Sequence, residues 1–247
     1  MKWNFIGDVH GRTCWKELVQ DECTNVFLGD YFSPYEYVPF EEQMNNFMDI
    51  VVYKGNHPDT IMLVGNHDED HWHWLRGLSN CSRHDFAHEE EIKAIFEENN
   101  DYLQLAYAPN DKVIVTHAGI TSTWLKEKFG FVPDAKPIEM AKMINEYWQA
   151  QPQNFSFSNC FTNGWECYGN EVSHSPLWVR VPSLLKDSVY KGSNVVQIVG
   201  HSQCKKIITP NDCDQTSSKV YVIDVLGTEP ASLMYDGDKF EINKLNK

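Results

Sequence analysis

The sequence predicts an α/β fold with mixed sheets and flanking helices, on three observations. Short apolar runs alternate with helical patterns through the first half. Several of these runs end on a glycine next to a carboxylate, amide or histidine. The last third holds short apolar runs separated by turn signals. The first observation is the βαβ rhythm of a buried, mainly parallel sheet. The second places polar groups at the carboxyl ends of strands, where open α/β sheets carry their sites. The third reads as an antiparallel section.

Taken in order, Trp3 to Ile6 reads as a strand and Cys14 to Asp21 as a helix. Val26 to Leu28 is a second strand. Met44, Phe47, Met48 and Val51 recur at helical spacing, and Ile61 to Val64 is a third strand. Ile92, Ile95 and Phe96 mark one amphipathic helix, and Met140, Met143, Ile144, Tyr147 and Trp148 another, with a strand at Val113 to Thr116 between them. The run Glu89-Glu90-Glu91 reads as a helix start, where negative charge complements the dipole. Residues 150–176 lack any period and are rich in Asn, Ser, Gly and aromatics, so they read as a long loop. Short strands follow at Val195 to Val199, Ile207 to Ile208, Val220 to Ile223, Ser232 to Tyr235 and Phe240 to Ile242.

Bulk properties narrow the function. At 247 residues, with no repeat and no composition break, the chain reads as a single domain over 1–247. A net charge of -14 disfavours non-specific nucleic acid binding. No apolar run approaches the ~18 residues that a membrane span requires. The start, MKWNFIGDVHG, has no apolar leader. Seven cysteines, an odd number with no CxxC pair, fit a reducing, cytoplasmic setting better than a disulfide framework. The sequence carries no signal for oligomeric state.

Five motifs carry the chemistry: Gly7-Asp8-Val9-His10-Gly11, Gly29-Asp30-Tyr31, Gly65-Asn66-His67-Asp68, His117-Ala118-Gly119 and Gly200-His201. Carboxylate, imidazole and amide oxygen together suit divalent manganese, iron or zinc. A carboxylate can bridge two ions ~3.5–4 Å apart, and such a pair activates a water and clamps phosphoryl oxygens, so that no protein nucleophile is needed. Each motif alone is an ordinary turn. Five in one order are not.

The order GDVHG, GDY, GNHD, HAG and GH resembles the calcineurin-like metallophosphoesterase superfamily, nearest its phosphoprotein phosphatase branch and the bacterial and phage relatives. The motifs run from Gly7 to His201, most of the chain. The resemblance implies a metallophosphoesterase-type α/β sandwich and two divalent ions, with manganese expected. It implies that Asp8 and His10 hold the first ion, that Asp30 bridges, and that Asn66, His117 and His201 complete the second position. His67 then matches the family's general acid, and its intrinsic pKa near 6.5 suits that work.

One motif departs from the family pattern GDxxDRG. The chain reads Gly29-Asp30-Tyr31-Phe32-Ser33-Pro34-Tyr35. Ser33 stands where the family has the carboxylate that orients the acid histidine, so Ser33 is expected to hydrogen-bond His67 without charging it. Glu36 and Asp68 are alternative partners. Pro34 stands where the family has a phosphate-gripping arginine. Only four arginines exist: Arg12, Arg76, Arg83 and Arg180. Arg180 resembles a phosphate-binding arginine that precedes the final GH motif in bacterial relatives; Arg83 and Arg12 are further candidates. His71 and His73 read as a loop near the site mouth, and Asp224 as a turn residue with a secondary claim to support the site.

The leading expectation is hydrolysis of a phosphomonoester, on a phosphoprotein or a small phosphorylated substrate. Dinucleoside polyphosphate or phosphodiester hydrolysis is the alternative. A catalytically impaired metal-binding protein is the third reading, prompted by Ser33 and Pro34.

Overall fold

The computed structural model describes residues 1–73, 83–157, 170–212 and 218–245. Arg76, Cys81, Cys160, Cys167, Cys213 and the middle of the 150–176 loop lie outside the described residues. The elements run β1 (Trp3–Ile6), α1 (Trp15–Leu18), β2 (Thr24–Phe27), α2 (Phe40–Asn56), β3 (Ile61–Leu63), α3 (Asn66–Trp72), α4 (Glu89–Glu98), β4 (Leu103–Gln104), β5 (Ala106–Asn110) and β6 (Val113–Thr116). They continue with α5 (Ser122–Phe129), α6 (Pro137–Ala150), α7 (Val181–Asp187), β7 (Val196–Val199), β8 (Lys219–Val222), β9 (Ala231–Tyr235) and β10 (Phe240–Lys244).

Two sheets form, in the orders β10-β9-β1-β2-β3-β4 and β5-β6-β7-β8. They stack through one apolar layer that includes Trp3, Phe5, Val26, Leu63, Val113, Val115, Val196, Ile198 and Leu233. Strand alternation explains the outer layers. Ile6, Phe27 and Met62 face away from that layer, into a cluster with Phe47, Ile50 and Phe96 of α2 and α4. Ile114 turns outward to Trp124, Met140 and Ile144 of α5 and α6. Val199, Val220 and Val222 pack under Leu184 of α7. The result is a helix–sheet–sheet–helix sandwich. Two asparagines interrupt the apolar strands and meet as register partners: Asn4 Nδ2 donates to Asn25 Oδ1 at 2.8 Å and to Leu18 O at 2.9 Å, while Asn4 Oδ1 is buried without a partner.

The last third is only partly antiparallel, where its turn signals suggested that it was wholly so. Among the described residues β7 runs parallel to both β6 and β8, while the β9–β10 hairpin, the β9–β1 pair and the Ile208–Val222 bridge are antiparallel. The turn signals between β7 and β8 sit inside a long connection that returns the chain to the same end, as parallel strands require. Ile207 to Ile208 makes only an isolated bridge to Val222. The helix expected over Cys14 to Asp21 shortens to one turn, and Asn66 opens α3, a helix the spacing did not predict. This parallel geometry points the carboxyl ends of β1, β2 and β3 and of β6, β7 and β8 at one edge, where all five motifs lie.

Candidate metal centre

The motif loops are held in conformations that most residues avoid. His10, Asp30 and His201 have φ values of 45°, 53° and 59°. Each left-handed non-glycine residue costs on the order of 1–3 kcal/mol, and such strain concentrates at functional sites. Cross-bonds hold the loops. His10 N–H donates to Asp30 O at 2.6 Å, and Gly11 N–H to Tyr31 O at 2.9 Å. His201 N–H donates to both Asp8 carboxylate oxygens, at 3.1 and 3.0 Å, which joins the two sheets. Glycine is needed at two contacts: a Cβ at Gly65 would overlap Asp30 Oδ1, and one at Gly200 would overlap Asp8 Oδ1.

Asp68 is the clamp for two of these loops. Its carboxylate accepts Asp30 N–H at 2.7 Å, Tyr31 N–H at 2.8 Å and Gly65 N–H at 2.8 Å. It is the N3 residue of α3 reaching back to its N-cap, a helix-start signature present in Gly65-Asn66-His67-Asp68. With both oxygens so engaged, Asp68 does not partner His67. Glu36 is exposed.

The histidines show what the site is built to hold. His10 Nδ1 lies 2.9 Å from Phe32 O, His117 Nδ1 2.8 Å from Leu28 O, and His201 Nε2 3.0 Å from Trp178 O. Those nitrogens must donate, so the opposite nitrogens carry lone pairs. Burial pushes His10 down to about 3 and His117 to about 4, and drives His201 well below its usual value, so all three are neutral. Yet His10 Nε2 and His117 Nε2 each lie 3.5 Å from Asp30 Oδ2. His117 Nε2 and His201 Nδ1 lie 2.9 and 2.8 Å from Asn66 Oδ1. Lone pairs converge on acceptor oxygens. One proton on Asp30 could relieve one imidazole contact but not both; divalent cations between them relieve all.

The carboxylates agree. Asp8, Asp30 and Asp224 are at most 2% exposed. Burial, Asp224 and Asp30 raise the Asp8 carboxyl, and burial and Asp68 raise Asp30. Uncompensated, such a cluster is costly; a cation restores the ionised forms. Atoms of Asp8, His10 and Asp30 all lie within 4.8 Å of one another, a candidate metal-binding group. The donor set therefore fits divalent metal. Asp224, expected mainly as a turn residue, is buried beside Asp8, whose carboxyl it helps to raise, and beside Arg12, which pulls the Asp224 carboxyl down against burial.

The family model for calcineurin-like phosphoesterases matches residues 1–205. The chain belongs to that family. It is thus a metal-dependent hydrolase of phosphoric esters. The phosphoesterase shares its fold with a protein serine/threonine phosphatase from Saccharomyces cerevisiae, at 16% identity and a TM-score of 0.55, covering 100% of this chain and 81% of that one. It also resembles a metallophosphoesterase from Sphaerobacter thermophilus, at 12% identity and a TM-score of 0.50, covering 100% and 88% of the two chains. No curated protein matches the sequence. Among the described residues, no helix of the phosphoesterase is long and apolar enough to cross a membrane.

Around the centre, two expectations change. Ser33 does not bond His67: its hydroxyl lies 3.3 Å from His71 Nε2. A serine side chain is shorter than the aspartate of the family pattern, and buried His71 stands ready as a partner. His67 Nδ1 is left buried without a partner, while its Nε2 accepts from Arg83 at 3.2 Å. Second, His71 is not on a loop: it lies in α3, stacked 4.2 Å from His84, and His73 caps that helix. Arg180 NH1 donates to His201 O at 3.2 Å, and Arg12 packs its guanidinium on Gly227.

Proposed function

We propose that this phosphoesterase hydrolyses phosphomonoesters at a dinuclear centre bridged by Asp30. Asp8 and His10 complete the first position; Asn66, His117 and His201 complete the second. The observation that carries the reading is the single oxygen Asp30 Oδ2, 3.5 Å from the lone-pair nitrogens of His10 and His117, one on each side of the centre. Two divalent ions held there, with manganese expected, would supply an activated water and a Lewis-acid clamp on phosphoryl oxygens.

The chain's own groups do the rest. Leu28 O, Phe32 O and Trp178 O fix the tautomers of three ligand imidazoles. Asp68 holds the Asp30 and Gly65 loops in register. His67, in the first turn of α3 and ring-to-ring with His10 at 5.4 Å, is the proton donor to the leaving oxygen. Arg180, Arg83 and Arg12 ring the centre as phosphate contacts. Loops from both sheets build the site, which supports one catalytic domain over 1–247. The partner is a phosphorylated substrate, and the odd cysteine set supports a cytoplasmic location.

The test is turnover of an aryl phosphomonoester and an aryl phosphodiester with manganese added. Preference for the monoester supports the reading. Preference for the diester replaces it with phosphodiester hydrolysis, and manganese binding without turnover replaces it with an impaired, metal-holding protein.

A further inference from the structure

The turn Ser33-Pro34-Tyr35 forms a seat for an arginine from elsewhere in the chain. Ser33 has φ 60°, and its carbonyl accepts Arg83 NH1 at 2.7 Å. Tyr35 lays its ring under the same guanidinium, 3.5 Å from the ring centroid. A carbonyl and a π-face hold Arg83 from two directions. The Tyr35 ring itself stands edge-on to His10 at 5.1 Å, so the seat is tied to the metal centre. Tyr35 is 51% exposed, and core packing does not explain its place.

Arg83 makes no direct ion pair among the described residues, although its charge is felt across the centre by Asp30 and Asp224. Its hydrogen bonds go to Ser33 O and His67 Nε2, and among the described residues no carboxylate pairs with it, in a chain of net charge -14. A guanidinium has five N–H donors, so about three remain for a ligand. Arg83 and Tyr35 line an open cavity of about 430 Å³ together with Pro34, Phe40, Asp85 and His88.

Resting on the phosphoester reading, we propose that Tyr35 is a positioning residue that carries Arg83 over the centre as the phosphate-gripping arginine that Pro34 displaced. The ligand is the phosphoryl group, a tetrahedral oxyanion. As Arg83 turns its NH2 onto phosphoryl oxygens it leaves Nε2 of His67, whose lone pair can then take a proton from solvent, the proton that His67 would deliver to the leaving oxygen.

The experiment uses the full manganese-loaded chain and inorganic phosphate as a competitive inhibitor of aryl phosphate turnover. Wild type is compared with Arg83→Gln, Tyr35→Leu, Tyr35→Phe and the double variant Tyr35→Leu/Arg83→Gln. Loss of one charge-assisted hydrogen bond raises Ki and KM at least about tenfold in Arg83→Gln. Loss of the π-face raises them about 3- to 10-fold in Tyr35→Leu, with kcat changing less than KM. Tyr35→Phe restores the wild-type values. The double variant is no worse than Arg83→Gln alone, because Tyr35 acts through Arg83. An unchanged Ki in Arg83→Gln overturns the proposal, and so does a Tyr35→Leu effect that persists undiminished in the Arg83→Gln background. If the wild-type chain binds manganese but turns over no phosphoester, the phosphoester reading fails instead. Calorimetric binding of phosphate to the same variants then still decides the role of Arg83.

Discussion

Replacing Ser33 by Asp tests how the proton reaches the leaving group. Arg83 bridges Ser33 O and His67 Nε2, so the two residues share one guanidinium, while His67 Nδ1 is buried and unpartnered. Burial, His10 and Arg83 hold the His67 imidazole well below its usual pKa. A carboxylate reaching Nδ1 satisfies the orphan nitrogen and raises that pKa by about 1–3 units, or about 10- to 1000-fold more imidazolium. The gain is bounded by the ~10²–10⁴-fold worth of general acid catalysis. Ser33 already sits in the left-handed region, which Asp tolerates better than most residues, so the backbone is compatible. The expected result is a rise in kcat of about 10- to 100-fold on an alkyl phosphomonoester and less than about threefold on an aryl one, whose leaving group needs little protonation. The assay is kcat on both substrates with saturating manganese, with thermal melts to confirm folding, since His71 loses its hydroxyl partner. Unchanged rates on both substrates, or an equal rise on both, would refute the reasoning and remove His67 as the acid.

Two further outcomes follow from the centre. Asp30→Asn should lower activity and metal affinity more than His201→Ala, because Asp30 Oδ2 lies 3.5 Å from both His10 Nε2 and His117 Nε2 and would serve both proposed positions, His201 only one; equal losses in activity and calorimetric affinity would contradict bridging. Manganese affinity should tighten as pH rises to about 7. Burial lifts the carboxyls of Asp68 to about 7 and Asp224 to about 6, and raises Asp8 and Asp30, so the metal-free centre holds protons below that range and must release them. His10, at about 3, and His117, at about 4, are neutral throughout and release none. One proton released corresponds to about tenfold in affinity per pH unit, and calorimetry from pH ~5.5 to ~8 that shows no slope would contradict it.

What the sequence revealed follows the range of each signal. β1 and β6 match their expected bounds residue for residue, because strands buried on both faces are apolar along most of their length. The five motifs converge because parallel strands share a carboxyl edge, a consequence of local pattern and chain direction together. The register of β7 and β8 was not legible, since a turn signal does not say whether the chain comes straight back or crosses over. Partner choice among near neighbours was equally hidden. Ser33 was expected on His67, and side-chain length and burial, rather than sequence, put its hydroxyl on His71. Asp68 could have been read as a helix-start residue, which would have removed it as a partner for His67. The Tyr35–Arg83 seat joins segments far apart in the chain, and no local pattern announces it.

The central claim is a two-ion centre sharing Asp30. Manganese titrated into chelator-stripped protein, followed by calorimetry and by electron paramagnetic resonance, tests it most directly. The expected result is two ions per chain, a resonance signal showing magnetic coupling between them, and loss of that coupling in Asp30→Asn. One ion per chain, or two ions without coupling in the wild type, would contradict it.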